Sequence, residues 1–109
     1  MEIEQRKFSA TGIKLFILEN GLEIARAYVY ILKNDLHTES FAFLEDVFVQ
    51  ETHRGQGLGT KIVQAALEAA KKAGCYKMVA TSRNSREQVH EMYKRIGFTD
   101  YGQEFRIDF

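Results

Sequence analysis

Between a strand-like apolar run and a helix-like amphipathic run stand six residues, Arg54-Gly55-Gln56-Gly57-Leu58-Gly59. Three glycines at alternate positions let a backbone reverse tightly and bring its N–H groups against a ligand. The helix that follows adds unpaired N–H groups and the positive end of its dipole. Together these make a seat for a pyrophosphate or another anion. A turn without a ligand is the alternative, but one or two glycines would suffice for that connection.

The chain has 109 residues, which sets the expectation of a single domain over 1–109. Apolar residues make up 45%, too many for a disordered chain. Lysine plus arginine and aspartate plus glutamate each number 15, so the net charge is zero, and no basic run suggests nucleic acid or a membrane surface. Residues 1–7 lack the apolar centre of a signal peptide, and no stretch is long enough to span a bilayer. Cys75 is the single cysteine, so a reducing cytoplasm is the simplest setting. It reads as a small packing residue, since no base lies near it in sequence. His37 and His53 read as loop residues, and no spacing of histidine, cysteine and carboxylate resembles a metal site.

Hydrophobic period gives the order of elements. Ile13–Glu19 and Leu22–Leu32 read as strands joined by Asn20-Gly21, a two-residue hairpin turn whose residues both need positive φ. Phe41–Val49 reads as a third strand. Thr60–Lys72 is expected to be helical, with Ile62, Ala66, Ala69 or Ala70, and Ala73 facing inward and Gly74 ending it. Lys77–Thr81 is a short buried strand, completing a strand–helix–strand unit with a right-handed crossover. Asn84 or Ser85 should cap a second helix carrying Val89, Met92, Tyr93 and Ile96, which Gly97 stops. Glu2–Phe8 is expected as a first strand, and Phe98–Phe109 as two short strands around Gly102.

The glycine turn differs from two better-known phosphate loops. A P-loop requires Gly-Lys-Ser/Thr at its end, whereas Gly59 is followed by Thr60-Lys61. A dinucleotide fingerprint needs its third glycine one position later and an acid about 20 residues on, where Val79 stands.

What remains resembles the GNAT superfamily of acetyl-CoA-dependent N-acetyltransferases. The resemblance runs from Phe41 to Phe98 and rests on two motifs in order. The first is Leu44-Glu45-Asp46-Val47-Phe48-Val49 with Arg54-Gly55-Gln56-Gly57-Leu58-Gly59; the second is His90-Glu91-Met92-Tyr93-Lys94-Arg95-Ile96-Gly97-Phe98. It implies an α/β (α+β) fold: a mixed, mostly antiparallel central sheet with a splayed parallel strand pair and two main helices. The helical pair that family members usually carry after their first strand is expected to be lacking, because only Ser9-Ala10-Thr11-Gly12 separates Phe8 from Ile13.

The resemblance also implies roles. Acetyl-CoA would wedge into the splay, its pantetheine arm pairing with the backbone of Val47 and Val49 and its pyrophosphate lying on the amides of Arg54, Gly55, Gln56, Gly57, Leu58, Gly59 and Thr60. N–H groups near Val47 and Phe48 would polarise the thioester oxygen. A primary amine must lose a proton before attack, and Glu45 is the candidate base, directly or through a water. By alternation Glu45 shares a face with Phe43, Val47 and Val49, while Asp46 points to the other; both acids are expected near the acceptor. Tyr93 would return a proton to the departing thiolate, a transfer between groups of pKa ~10 and ~8.5. Spacing alone reads Tyr93 as a half-buried helix aromatic and Glu45 as a solvated strand carboxylate; the resemblance gives them chemistry.

Several alternatives stay open. Relatives carry asparagine seven residues before the tyrosine, where this chain has Arg86, so either Asn84 or Arg86 would make that coenzyme contact. Arg86, His90 and Tyr93 fall along one helix edge, either as a polar stripe beside the thiolate or as a face in water. The acceptor is a small-molecule or peptide amine: polyamine, amino sugar, amino acid or peptide. A homodimer is expected to cover Tyr28, Tyr30 and Phe43. The expected activity is acetyl transfer by direct attack in a ternary complex, without a metal; the other reading is a silent CoA-binding module or subunit.

Overall fold

In the computed structural model, which describes residues 1–109, strand β1 (Thr11–Glu19) turns into β2 (Leu22–Leu32) at Asn20 and Gly21, with φ of 52° and 79°. Both central residues are left-handed, as the tight hairpin requires. Strand β3 (Phe41–Val49) lies antiparallel on β2, and β4 (Met78–Ala80) lies parallel on β3, giving the sheet order β1-β2-β3-β4. Between β3 and β4 runs helix α1 (Leu58–Lys72), preceded by a single 3-10 turn at Glu51–His53; helix α2 (Glu87–Ile96) follows β4.

The core lies on one face of the sheet. Ala27 and Val29 of β2, and Ala42 and Leu44 of β3, pack under Ile62, Val63, Ala66 and Ala70 of α1. Alanines at the contact let the helix approach closely, while Val29 and Val63 fill the space between. Burying each valine or leucine here contributes roughly 1.5–3 kcal/mol. Met92, Tyr93 and Ile96 of α2, with Phe98 after it, pack against the same cluster. The opposite face carries Lys14, Phe16, Arg26, Tyr28, Tyr30, Phe43 and Glu45 in adjacent rows. Phe16 and Tyr30 are 50% and 40% exposed there, so no helix covers that end of the sheet.

Some expectations need correction. Residues 1–10 and 97–109 form neither strand nor helix, so the first strand at Glu2–Phe8 and the two strands in the tail are not present. Their apolar residues alternate well enough to suggest strands, yet a strand exists only where a partner ladder accepts its hydrogen bonds. Helix α1 begins at Leu58, two residues before the expected Thr60, with Gly57 as its N-cap, and Ala73 is exposed rather than inward. Helix α2 is capped by Arg86 without a side-chain hydrogen bond, not by Asn84 or Ser85. The turn closed by Arg86 N–H on the Arg83 carbonyl, 3.0 Å, holds Asn84 and Ser85 outside the helix.

Candidate functional site

The parallel pair stays together only briefly. Ala42, Phe43 and Leu44 pair with Met78, Val79 and Ala80, after which β4 ends and β3 continues to Val49 without a partner on that side. Gln50 N–H donates to the Ile24 carbonyl at 2.8 Å, so the groups of Phe48 and Gln50 face β2. Backbone groups of neighbouring strand residues point to opposite edges, so those of Val47 and Val49 face the gap. This is an unfilled strand edge inside the sheet, bordered on its far side by the loop from β4 to α2.

The glycine turn stands at the mouth of that gap. Gly55 and Gly57 have φ of 80° and 79°, conformations that side chains resist. Gly59 has an ordinary helical backbone; a β-carbon on it would lie 3.3 Å from Met92 Sδ and 3.9 Å from Val49 Cγ2. So two glycines shape the turn and the third makes room. The amides of Gly55, Gln56 and Gly57 form no backbone hydrogen bond, and those of Leu58, Gly59 and Thr60 lie in the uncapped first turn of α1, which carries no acidic side chain. Six N–H groups are thus free beside a helix N-terminus. Arg54 departs from expectation: its amide donates to the Glu51 carbonyl at 3.4 Å, and its side-chain Nε to the Val49 carbonyl at 3.0 Å. Its guanidinium also lies 5.8 Å from the Phe48 ring, so Arg54 braces the turn against β3.

A bulge in β3 changes which side chains share a face. Pairing advances from Tyr28 back to Arg26 on β2 while it runs from Glu45 to Phe48 on β3, one residue more, and Asp46 takes φ of 51°. Glu45 therefore stays with Phe43 on the open face, but Val47 packs against the core and Val49 lies towards Gly59 of α1. The alternation expected to put Glu45, Val47 and Val49 together is broken at Asp46, which is itself exposed at the bulge.

Tyr93 stands half-buried on α2. Its ring lies 5.1 Å from that of Phe98 and against the core. Burial, and then the charge of Glu45, raise its pKa above the ordinary 10.0, so the phenol keeps its proton.

The β4–α2 loop carries Asn84 and Arg86, both exposed. His90 does not lie free in water: its Nε2 is 2.9 Å from the Arg83 carbonyl, tying helix to loop. In the same loop the Ser82 hydroxyl is buried without a partner. Of the other residues weighed from sequence, Cys75 packs against the core and its thiol pKa is raised by burial, while His53 Nε2 lies 3.1 Å from Glu19 Oε1 at the hairpin. His37 stacks near Tyr76 at 5.5 Å.

From sequence, Lys14 has no role and Tyr28 only that of an aromatic needing cover. Tyr28 stands directly across from Glu45, and Lys14 directly across from Tyr28, forming one row over three strands. Counting back from the hairpin turn would set Lys14 opposite Ala27; a register shift between Ile17 and Leu18 moves it to Tyr28, and no residue type there is diagnostic of that shift.

The model of the Acetyltransferase (GNAT) family matches residues 3–98. Among proteins of similar sequence, glucosamine 6-phosphate N-acetyltransferase of Trypanosoma brucei brucei is 32% identical over 65 residues, 60% of this chain and 42% of that protein. N-alpha-acetyltransferase 30 of Schizosaccharomyces pombe is 31% identical over 78 residues, covering 70% of this chain and 52% of that one. The chain therefore spans about half or less of these relatives. The crystal structure of glucosamine-6-phosphate N-acetyltransferase from Arabidopsis thaliana superposes with a TM-score of 0.81 at 26% identity, over 90% of this chain and 67% of that one. With a family match over most of its length and a sheet that parts beside a glycine turn, the chain belongs to the GNAT acetyltransferase family.

Proposed function

We propose that this protein transfers an acetyl group from acetyl-CoA to a primary amine, by direct attack in a ternary complex. The observation that carries the reading is the unfilled edge of β3 at Val47 and Val49, ending at six free N–H groups from Gly55 to Thr60. An extended amide-bearing arm would add to that edge as a strand does, and a diphosphate would take the amides and the helix dipole. Glu45 receives the acceptor's proton, directly or through a water; Tyr93, kept protonated by burial, gives one to the departing sulfur. Asp46 sets the bulge beside the acceptor, and Asn84 or Arg86 would meet the coenzyme from the β4–α2 loop. No helix is long and apolar enough to cross a membrane. A reducing cytoplasm remains the proposed setting.

The relatives' names, amino-sugar phosphate in one case and α-amine in the other, support an amine acceptor without choosing one. The exposed aromatic face supports a second copy closing the acceptor side, and it equally favours a second reading, a CoA-binding module whose acceptor pocket is never completed. Titration calorimetry with acetyl-CoA, followed by thiol release against polyamines, amino sugars, amino acids and peptides, separates the two. Heat and thiol release together support the transferase; heat without thiol release for any amine supports the module; no heat removes both.

A further inference from the structure

The row Lys14–Tyr28–Glu45 lies on the open face, one side chain on each of three adjacent strands. Strands are spaced about 4.8 Å apart, so the outer two backbones stand about 10 Å apart with the Tyr28 ring between them. The row has opposite charges at its ends. Lys14 Nζ is 5.7 Å from the centre of the Tyr28 ring, and it pairs with Glu23, which also accepts from Arg26 at 3.3 Å. Two cations thus share one carboxylate, leaving one positive charge in excess at the β1–β2 end. Glu23 holds the Lys14 ammonium above its ordinary pKa, so that charge persists through the neutral range. Neither Lys14 nor Glu45 forms a hydrogen bond with the other.

From this we infer that the acceptor is an amphoteric amine, with its ammonium at Glu45, its body on the Tyr28 ring, and an anionic group on Lys14 and Arg26. The inference rests on the transferase reading and narrows it: a carboxylate or phosphate fixed to the amine bridges the row, whereas a polyamine would bring a second cation against Lys14. Tyr28 contributes a flat floor between the two charges, so it acts on binding rather than on the proton itself. An amino acid and a phosphorylated amino sugar share this chemistry; a matched panel distinguishes them.

The experiment uses amines that differ only in the anion: lysine against 1,5-diaminopentane, and glucosamine 6-phosphate against glucosamine. For at least one pair kcat/KM should favour the anionic member by roughly tenfold, with the difference in KM. Lys14→Met should bring that ratio to within about twofold, Lys14→Arg should restore it, and Lys71→Met, on an exposed turn of α1, should leave it alone. Circular dichroism melts confirm that each variant folds. A wild-type ratio near one for both pairs, or a ratio that Lys14→Met does not change, overturns the inference. Calorimetry of the same pairs on CoA-saturated protein separates its failure from that of the enzyme reading. Anion-selective binding without turnover removes the transferase and keeps the row's role; turnover without anion preference removes only the row's role; neither removes both.

Discussion

Gly59 and Met92 are fitted to each other: a β-carbon on the glycine would stand 3.3 Å from the methionine sulfur. The contact joins the first turn of α1, which offers the free amides, to the residue just before Tyr93. The proposed anion seat and the proposed proton donor are therefore held at a fixed separation by packing rather than by a hydrogen bond.

Substitutions at Gly57 and Gly59 should separate shape from space. Gly57→Ala meets no atom but must hold φ of 79°, so we expect a loss of about 1 kcal/mol in urea unfolding. Gly59→Ala should stay within about 1 kcal/mol of the parent, since helix propensity gains while Met92, a flexible side chain, shifts by a few tenths of an ångström. Gly59→Val crowds both Met92 and Val49 and should lower stability and acetyl-CoA affinity together. Equal stability for all three variants would contradict this division of roles.

Tyr93→Phe tests the proposed proton donor. Thiol release should fall about a hundredfold, while acetyl-CoA affinity by calorimetry changes little, because the ring contact with Phe98 survives. Unchanged turnover would make Tyr93 a packing residue only.

The ionisation of Tyr93 offers a test independent of activity. Burial first, and Glu45 second, raise its pKa above 10.0. An unfolded tyrosine ionises near pH 10 while the folded one keeps its proton, so the folded state binds more protons above that pH. Stability from this group is complete below about pH 10 and is lost as pH rises through the folded value. Glu45→Gln removes the repelling charge, so phenolate absorbance assigned by difference from Tyr93→Phe should appear at lower pH, still above 10 because burial remains.

Asp46 is held at φ of 51° in the bulge. Asn and Gly accept that conformation, whereas a β-branched side chain does not, so Asp46→Asn should be near neutral and Asp46→Val should cost about 2 kcal/mol. Loss of the bulge would also return Val47 to the face of Glu45, so Asp46→Val should reduce turnover beyond its effect on stability. Thiol release measured well below the melting temperature checks this.

Much of this molecule could be read from the chain. Asn20-Gly21 fixed the hairpin because its two φ values are open to few residues, and the apolar period from Ile62 to Ala70 set which face of α1 is buried. The glycine turn and the Tyr93-to-Phe98 ending marked the family, since local backbone needs impose residue types there. Other features arose only in three dimensions. Which faces Glu45 and Val47 share depends on one extra residue in β3, and the cross-strand row through Lys14, Tyr28 and Glu45 depends on the register shift between β1 and β2 at Ile17 and Leu18. The terminal segments alternate like strands yet have no ladder to join. Local periodicity reports what a segment prefers, but pairing, bulges and the meeting of Gly59 with Met92 are decided by partners distant in sequence.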